Sequence, residues 1–321
     1  MTSMAKTPVG SSSSSADLEQ AKFNSEEQVV AAAAEGHTQS DVTAISWKNW
    51  VNVGAYVVNT IVTYTSLTGI FGATNSELSR KYQTLVTPAG WAFSIWGPIF
   101  IWEGIFVVAQ LFPRFRSTKV VSLMSPWWWS LCACQVAWTL AFAQDQVTLA
   151  LVFMLSILAS LLGISWSTDG LSLTPSEYFL LRAPLSLQLG WIIAASAVNA
   201  SVVADAAQSS QETLLALAVV SDAAVLALVA VFTFAVRSPD AFVGIVAAWA
   251  FAAIRSELGN PVDLNDPTRF NPSAWGTVVL GGLQNAALII SVLSAILALI
   301  ATVSRVFWAS AKCQSQTSSW V

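Results

Sequence analysis

Charge is scarce in this chain: only 10% of its 321 residues are Asp, Glu, Lys or Arg, where a soluble domain carries roughly 25%. Such a deficit excludes an ordinary water-facing surface. Histidine is almost missing, since His37 stands alone in a polar stretch near the start. The usual ligand of haem, zinc or iron is therefore absent from the apolar part of the chain, and any cofactor must be held without it. Cysteine is as sparse. Cys132 and Cys134 are two residues apart in an apolar run and Cys313 lies near the end, a pattern that spells neither a disulfide framework nor a metal site. Basic residues are scattered and the net charge is −4, so no Lys/Arg stripe exists to track a phosphate backbone and no nucleic-acid partner is expected. No nucleophile with a positioned base is visible, so catalysis is not expected.

What is abundant is apolar sequence: 55% of the residues are hydrophobic and the mean hydropathy is +0.62. Several runs reach the roughly 20 residues that a helix needs to cross about 30 Å of hydrocarbon. Periodicity and length place spans at 47–71, 91–112, 126–143, 146–166, 178–200, 214–236, 241–255 and 277–304. The fold class expected is all-α, a polytopic transmembrane bundle of about eight spans in contact with the lipid bilayer. The 241–255 run is short for a full crossing. Residues 1–46, with five consecutive serines and more acids than bases, read as a disordered polar tail, and 306–321 as a C-terminal tail.

Basic residues orient the bundle. Lys48, Arg114, Arg116, Lys119, Arg182, Arg237, Arg305 and Lys312 fall on the side of the termini, whereas Arg80, Lys81, Arg255 and Arg269 fall opposite. The excess predicts both termini in the cytoplasm or its topological equivalent. The organelle is not encoded in this pattern.

Fifteen tryptophans is a high count. Trp47, Trp50, Trp91, Trp127 to Trp129, Trp166, Trp275 and Trp308 stand at span ends, where an interfacial aromatic belt is expected. Trp96, Trp102, Trp138, Trp191 and Trp249 lie deeper, as packing residues or as the wall of a ligand site. Polar residues recur beside them at helical spacing. In the second span Trp96, Glu103 and Gln110 repeat every seven residues; in the first, Asn52, Asn59, Thr63 and Ser66 share a face; in the fifth, Pro184, Gln188, Trp191 and Asn199 form a third stripe. In lipid such groups must meet one another or line a cavity. Interhelical glue and a binding site are the two readings. Glu103 and Asp222 are acids within spans and are expected to be paired, protonated or wet. Pro98 and Pro184 are expected to kink their helices.

The stretch NSELSRKYQTLVTPAGWAFSIWGPIF, from Asn75 to Phe100, resembles the start of the second helix in the tryptophan-rich sensory protein and translocator protein family, TspO/MBR, in its longer multi-span branch. RAPLSLQLGWIIAASAVNA, from Arg182 to Ala200, resembles the fifth helix of that family. Pro126 to Phe142, with Gln135 ahead of Trp138, resembles the third, and Asp240 to Ile254 resembles part of the longer branch's extension. The resemblance covers 47–303 and implies a five-helix core at 47–200 with three added helices at 201–305. Glu103 departs from the family pattern at its place.

The resemblance also implies the ligand: a tetrapyrrole such as porphyrin or haem, or a sterol-like lipid, bound as cargo or signal rather than as a required cofactor. A homodimer is compatible with that reading. The stripes place the site between the first, second and fifth spans. Its expected residues are Asn59, Trp91, Phe93, Trp96, Glu103, Trp138, Gln188, Trp191 and Asn199, with Trp91-side backbone N–H groups or the loop cations Arg80 and Lys81 meeting a ligand's carboxylates. Arg80-Lys81-Tyr82 with Leu85 also fits a proposed cholesterol-contact pattern, with a wet loop and an interfacial tyrosine as the other reading. A different class of function stays open beside this one: a proton-coupled secondary transporter of a small molecule that uses Glu103 and Asp222. A porphyrin-degrading activity also stays open.

Overall fold

The computed structural model describes residues 44–260 and 272–317, with side chains for 44–260 and 274–307. Helices and loops make up these residues, with no strand among them. We number the helices α1 (Trp47–Ser66), α2 (Asn75–Lys81), α3 (Trp96–Ala109), α4 (Lys119–Ala143), α5 (Val147–Thr168), α6 (Pro175–Ala206), α7 (Gln211–Ala235), α8 (Ala241–Gly259) and α9 (Gly276–Thr317). The expectation of a disordered tail concerns residues that, up to Thr43, lie outside those described. The last helix runs past the boundary at 305 that hydropathy suggests and ends at Thr317.

Eight of the nine helices are long, and six, α3 only together with the 3-10 turn that begins at Gly90, are long and apolar enough to cross a membrane. The two others, α1 and α4, have 20 and 25 residues. Their hydropathy is diluted by their tryptophans and by the Asn and Gln side chains that they turn inward, Asn49, Asn52 and Asn59 on α1 and Gln135 on α4. The short run at 241–255 becomes a helix of 19 residues, about 28 Å at 1.5 Å per residue, which matches a hydrocarbon core. The pairs α1–α4, α4–α5, α5–α6, α6–α8 and α8–α9 pack side by side. The end of the bundle where α1 begins is called the near side, and the end bearing residues 67–89 the far side.

Local chemistry sets where these helices start and deform. Ser46 caps α1, accepting from the Lys48 N–H while its own N–H donates to Asn49 Oδ1. A 3-10 turn over Gly90–Ile95 precedes Pro98, and a π turn over Tyr178–Arg182 precedes Pro184. Both irregular turns sit where proline cannot donate to the helical ladder.

The helix α6 is the hub, touching α3, α5, α7 and α8. It meets α8 closely because Gly190 has no side chain: a Cβ there would stand 2.8 Å from Val246 Cβ and 3.2 Å from Val243 Cα. At the near side an ionic clasp ties the same two segments together. Arg182, on α6, lies 3.5 Å from Asp240, the residue that caps α8. Ser186 bridges them, accepting from Arg182 and donating to Asp240. Arg182 also donates to Ser165 on α5 at 2.8 Å. Snorkelling, the simplest expectation for an arginine at a span end, is thus replaced by a buried pair with 8% and 3% of each residue exposed. Arg305 of α9 completes the clasp, donating to the Pro239 carbonyl at 3.0 Å with its guanidinium 3.5 Å from the Tyr178 ring centre.

Five tryptophans at span ends face outward, as an interfacial belt requires, whereas Trp129 and Trp275 are half-buried. Trp47, Trp50, Trp91, Trp127 and Trp166 are exposed along the outer surface. Trp128 is a correction: it is wholly buried, its ring 5.3 Å edge-on from Phe106 and its N–H donating to the Asn52 carbonyl. Being at a span end does not fix which way a helical residue faces. The side chain of Trp308 lies outside those described.

Candidate functional site

The three polar-aromatic stripes divide by depth into three layers, because helices running in opposite directions bring residues of equal depth together. At the near side lies a closed knot. Gln110 Oε1 accepts from Asn49 and Asn52 at 2.9 Å each, Gln110 Nε2 donates to the Asn49 carbonyl, and Asn52 also donates to Ser125 at 3.0 Å. Trp129 donates to Asn52 Oδ1 at 2.6 Å. Here interhelical glue is the right description of Asn52 and Gln110.

At the far side the bundle opens into a cavity of about 340 Å³, bordered by Thr63, Tyr64 and Leu67 of α1, by Phe93, Trp96 and Phe100, and by Trp138 of α4. A smaller void of about 50 Å³ shares the Phe93, Trp96 and Trp138 wall. It reaches inward to Phe142, Met154, Trp191, Asn199 and Ala250. The rings hold one another: Phe93 and Trp96 meet Trp191 nearly perpendicularly at 5.7 and 6.3 Å, and Trp138 stacks on Phe142 at 5.2 Å and 14°. Trp138 donates its N–H to Asn199 Oδ1 at 3.1 Å. Two helices not expected at the site take part: Met154 of α5 and Ala250 and Ile254 of α8. Of the three added helices, α8 therefore closes one side of the cavity.

The segment between α1 and α3 roofs this space, and sequence reading missed it. Thr74 and Glu77 form a reciprocal cap that starts α2. The following residues, from Tyr82 to Thr87, are all buried. Asn75, Ser79, Thr87 and Pro88 face both voids. The Thr-x-x-Glu signature was present at 74–77, but a helix of seven residues falls below any span-length search. Tyr82, expected as a wet interfacial residue or a sterol contact, is buried, donating to Asp145 at 2.8 Å. The chain closes over it because Ala89 donates its N–H to the Ala253 carbonyl on α8 at 3.1 Å.

Of the nine expected residues, Phe93, Trp96, Trp138, Trp191 and Asn199 border these voids. Trp91 does not: it is 45% exposed, with its ring edge-on to Trp249 at 4.7 Å. The 3-10 turn points Trp91 outward while Phe93 and Trp96 point in. Asn59, Glu103 and Gln188 lie one layer deeper, beneath the aromatic floor. Thr63, one turn above Asn59, borders the cavity and donates to Asn59 Oδ1 at 3.4 Å. Trp96 and Trp191 stand seven and three residues from Glu103 and Gln188 on their helices.

Of the loop cations, Arg80 stands at the mouth beside Gln83 and Glu257. Lys81 is engaged elsewhere, paired with Asp145, and that hydrogen bond raises its ammonium above the ordinary lysine value. Among the described residues no three His, Cys, Asp or Glu side chains are grouped so that they could hold a metal. A family model described as TSPO-like protein matches residues 49–307, from the first long helix to the last. No curated protein and no solved structure matches the chain.

Proposed function

Since the chain belongs to the TSPO-like protein family, we propose that it is a membrane receptor or carrier for a flat hydrophobic ligand, taken into the far-side cavity. A tetrapyrrole such as porphyrin or haem is the first choice and a sterol-like lipid the second. The observation that carries this reading is the cavity itself: about 340 Å³ walled by Phe93, Trp96, Phe100 and Trp138, with one cation, Arg80, and one acid, Glu257, engaged by Gln83, in its lining. Ligand pockets of about 300–1,000 Å³ with apolar walls and few polar groups are the common form of small-molecule sites. A flat conjugated ring gains from stacking on indole faces. Arg80 supplies a partner for a ring carboxylate, a role that Lys81, paired with Asp145, fills less well.

The test is fluorescence titration of the purified full-length protein with protoporphyrin. Saturable quenching of tryptophan emission is expected, and an Arg80→Gln variant should bind the dicarboxylic porphyrin more weakly while leaving an uncharged sterol analogue unaffected. Quenching that grows linearly without saturation would remove the main support for a tetrapyrrole.

We further propose that both termini lie in the cytoplasm or its equivalent, from the excess of basic residues at the near side. Reporter fusions at Met1 and Val321 should report the same, cytoplasmic side. Opposite sides for the two fusions would contradict an even span count.

A further inference from the structure

Between the near-side knot and the aromatic floor lies a layer of polar groups that neither the packing nor the ligand cavity accounts for. It is built from four helices: Asn59 on α1, Glu103 on α3, Gln135 and Thr139 on α4, and Gln188 on α6. All five are buried, with Glu103, Asn59 and Gln188 wholly so. Gln188 Nε2 donates to Gln135 Oε1 at 2.8 Å, which ties α4 to α6. Asn59 Oδ1 accepts from Thr63. The other ends of these same side chains have no protein partner: Asn59 Nδ2, Gln135 Nε2, Gln188 Oε1, Thr139 Oγ1 and both carboxyl oxygens of Glu103. Glu103 is near enough to Cys132, one turn before Gln135 on the same face of α4, to interact with it electrostatically, which places it beside this cluster.

A buried ionised carboxylate requires a nearby cation. None is within reach on these helices: residues 49–79, 82–113, 120–181 and 183–236 contain no Lys or Arg. Arg182, six residues below Gln188, is committed to Asp240. The titratable groups that face Glu103 are Tyr56 on α1 and Cys132 on α4, and neither is a cation. Tyr56 donates its hydroxyl proton to the Phe100 carbonyl at 2.9 Å. The unpartnered atoms comprise amide donors as well as carbonyl, carboxyl and hydroxyl oxygens. A metal cation would be repelled by the amide N–H groups, whereas water both donates and accepts and satisfies the whole set.

We propose that this layer is a proton-binding site separate from the ligand cavity, in which Glu103 is held as a neutral carboxylic acid and joined to Gln135 and Gln188 by a small internal water cluster. The neutral acid donates one hydrogen bond and accepts others, so it completes the network without a counter-ion. Its place under Trp96, Trp138 and Trp191 puts a stored proton directly beneath the floor of the cavity.

Infrared spectroscopy of the full-length protein in detergent tests this, with protoporphyrin quenching measured on the same samples. At pH 7 the wild type should show a carboxylic-acid C=O band that moves to lower frequency in D2O and is lost in Glu103→Gln. Glu103→Asp, which keeps the acid, should retain a shifted band, and serves if the glutamine variant folds poorly. Only carboxylate absorption from Glu103 would overturn the proposal. A Glu103 acid band unmoved by D2O would overturn the water cluster. The band does not depend on porphyrin, so loss of quenching with the band intact would count against the ligand reading alone.

Discussion

Replacing Arg182 with leucine is expected to destabilise the protein by about 3–5 kcal/mol, the cost of leaving a buried charge without its partner. The charge left behind is that of Asp240, which is 3% exposed and belongs to the cap that starts α8. Ser186 remains as a donor to Asp240, but a single hydroxyl does not neutralise a carboxylate. Chemical denaturation in detergent, followed by tryptophan emission, reads the loss. The double variant Arg182→Leu with Asp240→Asn should recover much of it, because removing both charges removes the desolvation problem along with the attraction. A single variant within about 0.5 kcal/mol of the wild type would mean that the pair is solvated and that the clasp does not hold α6 to α8.

The second large effect is at Trp96. Replacing it with alanine should weaken porphyrin binding by about 1–3 kcal/mol, by analogy with base–aromatic stacking, or roughly 5- to 150-fold in Kd. Trp96 borders both voids and is braced by Trp191 at 6.3 Å and Phe100 at 5.8 Å, so its truncation removes wall and support together. Two controls carry the same chemical change without the same position. Trp47 is 64% exposed at the start of α1, and Trp91, only five residues away in sequence, is 45% exposed against Trp249. Both alanine variants should bind porphyrin within about twofold of the wild type, the scale of surface substitutions. Equal losses at Trp96 and Trp91 would show that the ligand does not enter the cavity.

The alternative of a proton-coupled transporter rested on two intramembrane acids. Glu103 and Asp222 are both buried, on α3 and α7. Glu103 lies among polar side chains from three other helices. If Glu103 drives transport, Glu103→Gln should abolish proton-coupled uptake; unchanged uptake would remove the transporter reading.

Hydropathy and period were enough for the all-helical bundle and the number of long helices, because a segment in lipid must satisfy its backbone internally and be long enough to cross; they placed the start of α4 at 126 and the end of α9 at 304, where the helices run from Lys119 and to Thr317. The heptad spacing of Trp96, Glu103 and Gln110 showed that one face of α3 turns inward. It could not show that the three residues serve three different ends, a cavity wall, a proton site and a hydrogen-bonded knot. That division depends on depth, and depth depends on which residues of α1, α4 and α6 stand opposite. The direction of Trp91 was lost for a related reason: a 3-10 turn at Gly90–Ile95 rotates side chains by about 120° per residue in place of about 100°, so helical periodicity fails there. The buried roof at 82–87, the closing of the cavity by α8 and the pairing of Arg182 with Asp240 join residues far apart in the chain. Sequence determined which segments are long helices and which of their faces are polar, since both follow from local chemistry repeated along one helix. Only the tertiary structure decided what those faces meet, because a polar group in a membrane takes its role from the partner it finds or lacks on another helix.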